Sequence, residues 1–305
     1  MRQLRLYAIP LLLSILAAPA PSGAVTLAVG DILVAVGASV VHIDPVTLDQ
    51  TVVSSGGFLT SAHGPAVSEA GEIFVADLDT DAIIGIDPGT GQQRIVSSGG
   101  LLDDPRDVEI AGSGQLIVGG GIPGIVQVDP SDGSQLELAS DESGVIDLIV
   151  EPGGDSILFT TFFNGIWRKS LTTLDETTVL TPGFANFGPL GIALDAAGDL
   201  WSTEGTPLIR RDAITGDFLG FLPFPDDAAG VLSGIVVDPL GRFVVQTELE
   251  GIQKVDPTTG VWEPIAALSG SGLAIVTALP EPGSALLWLA ALLTGALARR
   301  RPARG

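Results

Sequence analysis

The residues of this chain that could do chemistry are its histidines and its acidic residues, because the sequence contains no cysteine. Only two histidines occur in the sequence. His42 lies inside a Val-Val-His-Ile run that is typical of a strand, whereas His63 lies in Ala-His-Gly-Pro just before such a run. His63 is therefore the histidine placed like a general base. Without cysteine, neither a thiolate nucleophile nor a thiolate metal site can form.

A second group of candidates consists of charged residues at the ends of short apolar runs. Its members are Asp77, Asp104, Arg106, Asp147 and Glu204. Carboxylates are the ligands that calcium and magnesium prefer, and a ring of mixed charge can also bind a polar ligand. The alternative is a solvated rim that binds nothing.

The segment 77–81, Asp-Leu-Asp-Thr-Asp, resembles the opening of a calcium loop. An EF-hand requires Gly at the sixth position and Glu at the twelfth, where this chain has Ala82 and Pro88. The segment is therefore not an EF-hand, and a weak calcium site and a hydrated loop both stay open. The sequence also lacks a phosphate-binding glycine loop, an HExxH motif and a serine nucleophile elbow.

A repeat of 41 to 44 residues indicates the architecture that must position these candidates. An Asp-Pro-x-Thr-Gly turn, or a remnant of it, begins at residues 44, 87, 129, 170, 212 and 256. Each unit holds four short runs rich in Val, Ile and Leu, separated by turns with Gly, Pro and Asp. Four strands in about 40 residues are typical of a propeller blade. The sequence therefore predicts an all-β, six-bladed β-propeller with four-stranded blades.

Strand order within a blade brings the candidates to one face. Consecutive strands are antiparallel, so the start of each inner strand and the end of each second strand reach the same face. We therefore expect His63 and the five charged residues around one mouth of the central channel. An enzyme would need three or more converging carboxylate, His or Asn side chains there, whereas a scaffold would not.

Either terminal segment of the propeller can close the ring. Residues 25–29 and residues 272–276 both match an inner strand that has no blade of its own. If the later segment is used, the two ends of the chain pair and no sheet edge stays open.

The N-terminus carries an export pattern. Arg2 and Arg5 precede an apolar stretch that ends in small residues. This order is typical of a secretory signal peptide, which we place at residues 1–24. The propeller domain then spans residues 25–279.

The C-terminus carries a second pattern over residues 280–305. Pro280-Glu281-Pro282 precedes an uncharged apolar run, residues 283–298, which we predict to be a transmembrane helix. A basic cluster then marks the cytoplasmic side; it contains Arg299, Arg300 and Arg301. The three parts in this order resemble the PEP-CTERM sorting signal of Gram-negative bacteria. The resemblance implies an inner-membrane precursor, processing by an exosortase, and delivery to the cell envelope or outside. An ordinary membrane anchor is the alternative.

The repeat unit resembles NHL and virginiamycin B lyase-like propellers. Residues 198–204, Gly-Asp-Leu-Trp-Ser-Thr-Glu, and the Arg-Asp and Thr-Gly pairs that follow are similar to the lyase family's Gly-x-Leu-Trp-Phe-Thr-Glu and Arg-x-Asp-x-x-Thr-Gly. Ser202 stands where that family has Phe. The lyase chemistry uses a histidine and magnesium. This chain offers only His63 for that role, and no matching second motif.

Charge and targeting together favour one functional class. A formal net charge of −22 excludes nucleic acid as a partner by repulsion. We expect an exported, non-enzymatic binding or structural propeller with an exosortase as partner. The sorting resemblance also implies surface polysaccharide and biofilm as its setting. The alternative is a metal-dependent lyase or lactone hydrolase at the channel, with calcium or magnesium as cofactor and His63 as base.

Overall fold

The structure, a computed structural model, describes residues 23–139, 144–162, 165–180, 189–205, 207–225 and 231–279. Within them the chain is an all-β propeller of six four-stranded antiparallel sheets, as the repeat predicts. No helix in this part of the chain is long and apolar enough to cross a membrane. Residues 1–22 and the whole predicted sorting segment, 280–305, lie outside the described residues.

The strands follow the repeat, and each blade begins at the central channel. Blade 1 holds β1 (Ile32–Val36), β2 (Ser39–Ile43) and β3 (Gln50–Ser55); blade 2 holds β4 (Ala62–Val67), β5 (Ile73–Asp77), β6 (Ala82–Ile86) and β7 (Gln93–Ser98); blade 3 holds β8 (Asp107–Ile110), β9 (Leu116–Gly119), β10 (Ile125–Val128) and β11 (Gln135–Ala139). Blade 4 holds β12 (Val145–Val150), β13 (Ser156–Thr161), β14 (Gly165–Ser170) and β15 (Glu176–Leu180); blade 5 holds β16 (Ile192–Leu194), β17 (Leu200–Thr203), β18 (Leu208–Arg211) and β19 (Phe218–Leu222). Blade 6 holds β20 (Leu232–Val237), β21 (Phe243–Thr247), β22 (Gly251–Val255) and β23 (Trp262–Ala266), and β24 (Leu273–Ile275) follows it.

The segment 273–275 closes the ring. β24 pairs antiparallel with β1, so that Leu273 lies opposite Val34 and Ile275 opposite Ile32. The sheet of blade 1 therefore has the order β24, β1, β2, β3. Residues 25–29 form no strand. Val25 is buried against blades 1 and 2 and donates its N–H to the carbonyl of Pro88 at 2.8 Å.

The repeated Asp-Pro turns are structural. Oδ1 of Asp44 accepts the backbone N–H groups of Val46 at 2.7 Å and of Thr47 at 3.0 Å. In the worn copy, Oγ of Ser170 replaces the carboxylate and accepts the two equivalent N–H groups at 3.2 and 3.1 Å. The turn therefore needs one side-chain oxygen at its first position, which explains why the landmark recurs in every blade.

The repeated Val-Ser-Ser-Gly-Gly segments join neighbouring blades. Gln93 at the start of β7 donates from Nε2 to Oγ of Ser54 at 2.8 Å, and its Oε1 accepts the N–H of Phe58 at 2.7 Å. Gln135 makes the same two contacts, with Ser97 at 2.9 Å and with Leu101 at 2.6 Å. The glutamine at the start of an outer strand thus holds its blade to the preceding blade.

Six equivalent backbone positions narrow the channel at the face where the inner strands begin, which we call the upper face. They are Gly64, Asp107, Asp147, Gly191, Gly234 and Gly272. A Cβ atom on Gly272 would lie 2.7 Å from Cα of Gly64, and one on Gly191 would lie 2.9 Å from Cα of Gly234. At Gly191 and Gly272 a larger residue would therefore clash with the backbone of the adjacent blade.

Gly272→Ala should destabilise the propeller because the new Cβ would meet backbone atoms of Gly64 that cannot move aside. We expect the free energy of unfolding to fall by about 1–3 kcal/mol, the usual cost of overpacking. Chemical denaturation of the purified chain measures this. Gly112→Ala is the matched control because a Cβ there would meet nothing within 4 Å. Equal effects from the two variants would show that the close approach of blades does not require glycine.

Candidate functional site

The channel opens at the upper face into a cavity of about 250 Å³, which we call the upper-channel cavity. The polar residues that line it are His63, Arg106, Asp107, Glu109, Asp147, Ser233, Gln246 and Ser271. Below it the channel continues as a space of about 370 Å³ lined mainly by apolar side chains such as Ala66, Ile110 and Val150. The polar chemistry of the channel is therefore concentrated at the upper face.

The structure brings together half of the residues that the sequence singled out. His63, Arg106 and Asp147 line the upper-channel cavity. Asp77, Asp104 and Glu204 belong to the same face but are not among its lining residues. In the described ranges no group of three His, Asp or Glu side chains could hold a metal ion. Calcium or magnesium binding by these residues stays a prediction.

Asp77 is inaccessible to solvent and is used within the fold. Its carboxylate accepts the N–H of Thr60 at 2.7 Å and of Ser61 at 2.9 Å, and the hydroxyls of Thr60 at 2.6 Å and Thr80 at 2.8 Å. Burial alone would raise the pKa of Asp77, but these four hydrogen bonds outweigh it and lower the pKa. Asp77 therefore holds the loop between blades 1 and 2 onto the loop that follows β5.

Asp77→Ala should lower the free energy of unfolding by about 2–3 kcal/mol, because it leaves the backbone N–H groups of Thr60 and Ser61 without their charged acceptor. Urea denaturation with and without millimolar calcium measures both the loss and any dependence on the cation. Asp79→Ala, at an exposed residue of the same loop, is the control and should change stability little. If calcium stabilises the native chain and Asp77→Ala abolishes that effect alone, Asp77 is a cation ligand and not a structural acceptor.

Glu204 and Asp104 are also engaged by protein groups. Glu204 forms an ion pair with Arg211 at 3.1 Å, and its side chain is only 5 % exposed. It also accepts the hydroxyl of Ser202 at 2.7 Å. Asp104 is exposed, and its backbone N–H donates to Oδ1 of Asp81 at 3.0 Å. The segment 77–81 is thus a tight turn whose carboxylates bind backbone and hydroxyl donors of neighbouring loops.

Asp107 and Asp147 bridge consecutive inner strands. Oδ2 of Asp107 accepts the N–H of Leu148 in blade 4 at 2.8 Å, and Oδ2 of Asp147 accepts the N–H of Ile192 in blade 5 at 2.6 Å. The two carboxyl groups also hydrogen-bond to each other. At positions where other blades approach through glycine, these two aspartates span the gap with a side chain.

Burial gives the acids of the cavity unusual protonation behaviour. It raises the pKa of Asp107 to about 6. Burial and the charge of Asp107 raise the pKa of Glu109 to about 8, and the same two causes raise that of Asp147 well above its ordinary value. The folded chain therefore holds protons on these acids at pH values where free carboxyl groups are ionised.

His63 and Arg106 line the same cavity as these acids. Burial lowers the pKa of His63, and the positive charge of Arg106 lowers it further, so the imidazole is neutral at pH 7. The guanidinium of Arg106 lies over the ring of Phe162, 5.2 Å from its centroid. The cavity thus combines one guanidinium, a neutral imidazole and three carboxyl groups whose pKa values are raised.

Stability should decline as pH rises through the window of these raised pKa values. An acid whose pKa is raised on folding makes the folded state hold more protons than the unfolded state, so stability is lost between about pH 4 and pH 8. Each such proton contributes a slope of up to about 1.4 kcal/mol per pH unit. Asp147→Asn keeps an oxygen that can accept the N–H of Ile192, but it removes one titrating group. The free energy of unfolding should therefore decline less steeply with pH in this variant. Denaturation at several pH values measures it.

Glu137→Gln is the control for this series because Glu137 is exposed on β11, the outer strand of blade 3, and does not line the cavity. It should leave the pH profile unchanged. A native profile that is flat or rises from pH 5 to 8, or an Asp147→Asn profile as steep as the native one, would contradict the burial of these acids.

Five of the polar lining residues were not predicted from the sequence: Asp107, Glu109, Ser233, Gln246 and Ser271. Residues 107–110 form an inner strand in which two of the four residues are acidic. A usable signal was present, because the position occupied by Asp107 is glycine in four of the six inner strands. Gln246 gave no signal, since a glutamine in a strand is unremarkable until the fold places it at the channel.

Comparisons with known proteins support the fold. No family model and no curated protein matches the chain. A chain in the crystal structure of a nidogen/laminin complex matches with a TM-score of 0.70 and 9 % identity, over 81 % of this chain and 99 % of that one. A virginiamycin B lyase from Staphylococcus aureus matches with a TM-score of 0.59 and 15 % identity, over 77 % and 83 %. The chain therefore has an NHL- and virginiamycin B lyase-like propeller fold, and such low identities carry nothing beyond the fold.

Proposed function

We propose that this chain is an exported, non-enzymatic binding or structural propeller that an exosortase sorts to the cell envelope or extracellular matrix. Residues 1–24 are its signal peptide, residues 25–279 its propeller and residues 280–305 its sorting segment. Surface polysaccharide is its partner. The proposal joins the two terminal sequence patterns with the fold and with the upper-channel cavity.

The position of the described chain ends carries this proposal. Val25 and Leu279 line one groove together with Gly71 and Pro88, which belong to turns on the face opposite the upper face. A membrane segment that follows Leu279 therefore starts on the lower side of the propeller. The upper-channel cavity opens on the other side, so a tethered precursor presents its cavity away from the membrane, as a surface-exposed binding protein requires.

The surface charge suits an extracellular role of this kind. The chain has 36 acidic and 14 basic residues, and six of the basic residues are arginines of the two ends. An acidic propeller stays soluble and avoids nucleic acid and anionic lipid. Uncharged polysaccharide is not repelled by such a surface.

The alternative, a metal-dependent lyase or lactone hydrolase, has one observation in its favour. His63, Asp107, Glu109 and Asp147 converge on one cavity, which meets the condition stated for an enzyme. The same carboxyl groups already accept backbone N–H groups of neighbouring blades or are protonated at pH 7. These are poor properties for metal ligands, and the binding role therefore fits the geometry better.

Deletion of residues 280–305 tests the sorting and the destination together. The full-length chain should appear as a membrane-bound precursor and then as a shorter form that sediments with surface polysaccharide. The deleted chain should be soluble in the periplasm, without a membrane-bound precursor. Fractionation of the producing cells with mass spectrometry of the C-terminus measures both.

Replacing Pro280-Glu281-Pro282 with three alanines is the matched control. It keeps the apolar run and the arginines, so the chain should reach the membrane and stay there unprocessed. If the native chain keeps an intact C-terminus in every fraction, the segment is an ordinary anchor. If the processed form never sediments with polysaccharide, the proposed partner is wrong.

A further inference from the structure

Three buried polar atoms without a hydrogen-bond partner surround the upper-channel cavity. They are Nε of Arg106, Oγ of Ser233 and Oε1 of Gln246. Gln246 is only 4 % exposed, and its Nε2 is occupied by the carbonyl of Gly270. A buried donor or acceptor that stays unpaired is costly. Because three such atoms belong to residues around one cavity, we infer that a polar molecule binds there and supplies the missing hydrogen bonds.

The charge of the cavity excludes most ions as that molecule. The guanidinium of Arg106 and the carboxyl groups of Asp107 and Asp147 line the same cavity, and His63 is neutral at pH 7. A cation would meet Arg106, and a phosphate or carboxylate would meet the aspartate pair. An ion of either sign therefore meets repulsion as well as attraction.

The donors and acceptors of the cavity specify the ligand chemistry. Arg106 can donate only, Oε1 of Gln246 can accept only, and the hydroxyl of Ser233 can do both. A molecule that both donates and accepts at several adjacent positions is a polyol. The volume of about 250 Å³ is slightly below that of pockets for drug-sized ligands, so a single ring matches the size of the polar part of the channel.

We propose that the upper-channel cavity binds one uncharged sugar ring, held by Arg106, Ser233 and Gln246. This rests on the proposed function and narrows it, because the ring would be a terminal unit of the surface polysaccharide. A free monosaccharide has the same chemistry, and the experiment below separates the two sources.

The test uses the full-length chain, purified in a detergent without a sugar headgroup. The probes are methyl glycosides of glucose, galactose, mannose and N-acetylglucosamine. At the efficiency usual for ligands of this size, one of them should bind with a Kd of about 1 mM. At ten times Kd it should raise the melting temperature by about 3–5 °C. Glucuronate and calcium chloride at matched ionic strength should produce neither effect.

Gln246→Leu removes the unpaired acceptor at similar volume and should weaken binding about ten-fold or more. Gln253→Leu is the matched control: Gln253 is also buried in blade 6 and donates to the carbonyl of Glu250, but it does not line the cavity. It should leave the Kd within about two-fold, which separates a lost contact from a general loss of stability. Ser233→Ala should weaken binding in the same direction as Gln246→Leu.

The outcomes distinguish the inference from the proposed function. Binding of no neutral glycoside, equal binding of glucuronate or calcium, or an unchanged Kd in Gln246→Leu overturns the inference. If the chain then still sediments with surface polysaccharide, the proposed function stands with its contact elsewhere on the propeller. If glycosides bind but polysaccharide does not, the ligand is a free monosaccharide. If neither binds, both proposals fail.

Discussion

Pairing between the two ends of the described chain holds this propeller together. Each blade is a four-stranded sheet that can bury its faces only against its neighbours, so an open ring would leave two sheet faces and one inner edge in water. β24 prevents this by adding to β1, and Val276 donates its N–H to the carbonyl of Asp31 at 2.9 Å in the same closure. Residues about 240 positions apart in sequence thus decide whether the ring exists. The chain must be stable by such packing alone, because it has no cysteine for a disulfide.

Three of the chain's basic residues make equivalent contacts between neighbouring blades. Arg94, Arg168 and Lys254 donate to the carbonyls of Pro130, Ala213 and Pro45, which occupy the second position of the Asp-Pro turn in the next blade. The glutamines at the starts of β7 and β11 add a second set of contacts, with the preceding blade. Asp107 and Asp147 supply a third set at the channel. Several charged side chains therefore hold neighbouring blades together. Because Asp107 and Asp147 are among them, fewer carboxylates are available to bind a cation.

The sequence predicted the fold well because its signals are local and repeated. One side-chain oxygen at the start of each turn, glycine at its end and β-branched runs between turns suffice to mark a blade six times. The candidate site was predicted only in part, since it depends on contacts between blades. Asp77 and Glu204 do lie on the expected face, but Thr60, Ser61 and Arg211 engage their carboxylates, and those partners come from loops or strands that the pattern does not connect. The Ser-Ser-Gly-Gly segments show the same limit: their glutamine partners lie 38 to 39 residues later in the chain.

At the six equivalent positions that narrow the channel, aspartate in place of glycine affects both the contacts between blades and the polarity of the cavity. Gly191 and Gly272 lie against the backbone of the adjacent inner strand, with no side chain between them. At blades 3 and 4 aspartates occupy the equivalent positions, and burial raises the pKa values of their carboxyl groups. The guanidinium of Arg106 lines the same cavity. An acidic protein therefore has a cavity that presents both signs of charge in a confined space. A site of this kind selects by hydrogen-bond geometry and size instead of by attraction of charge.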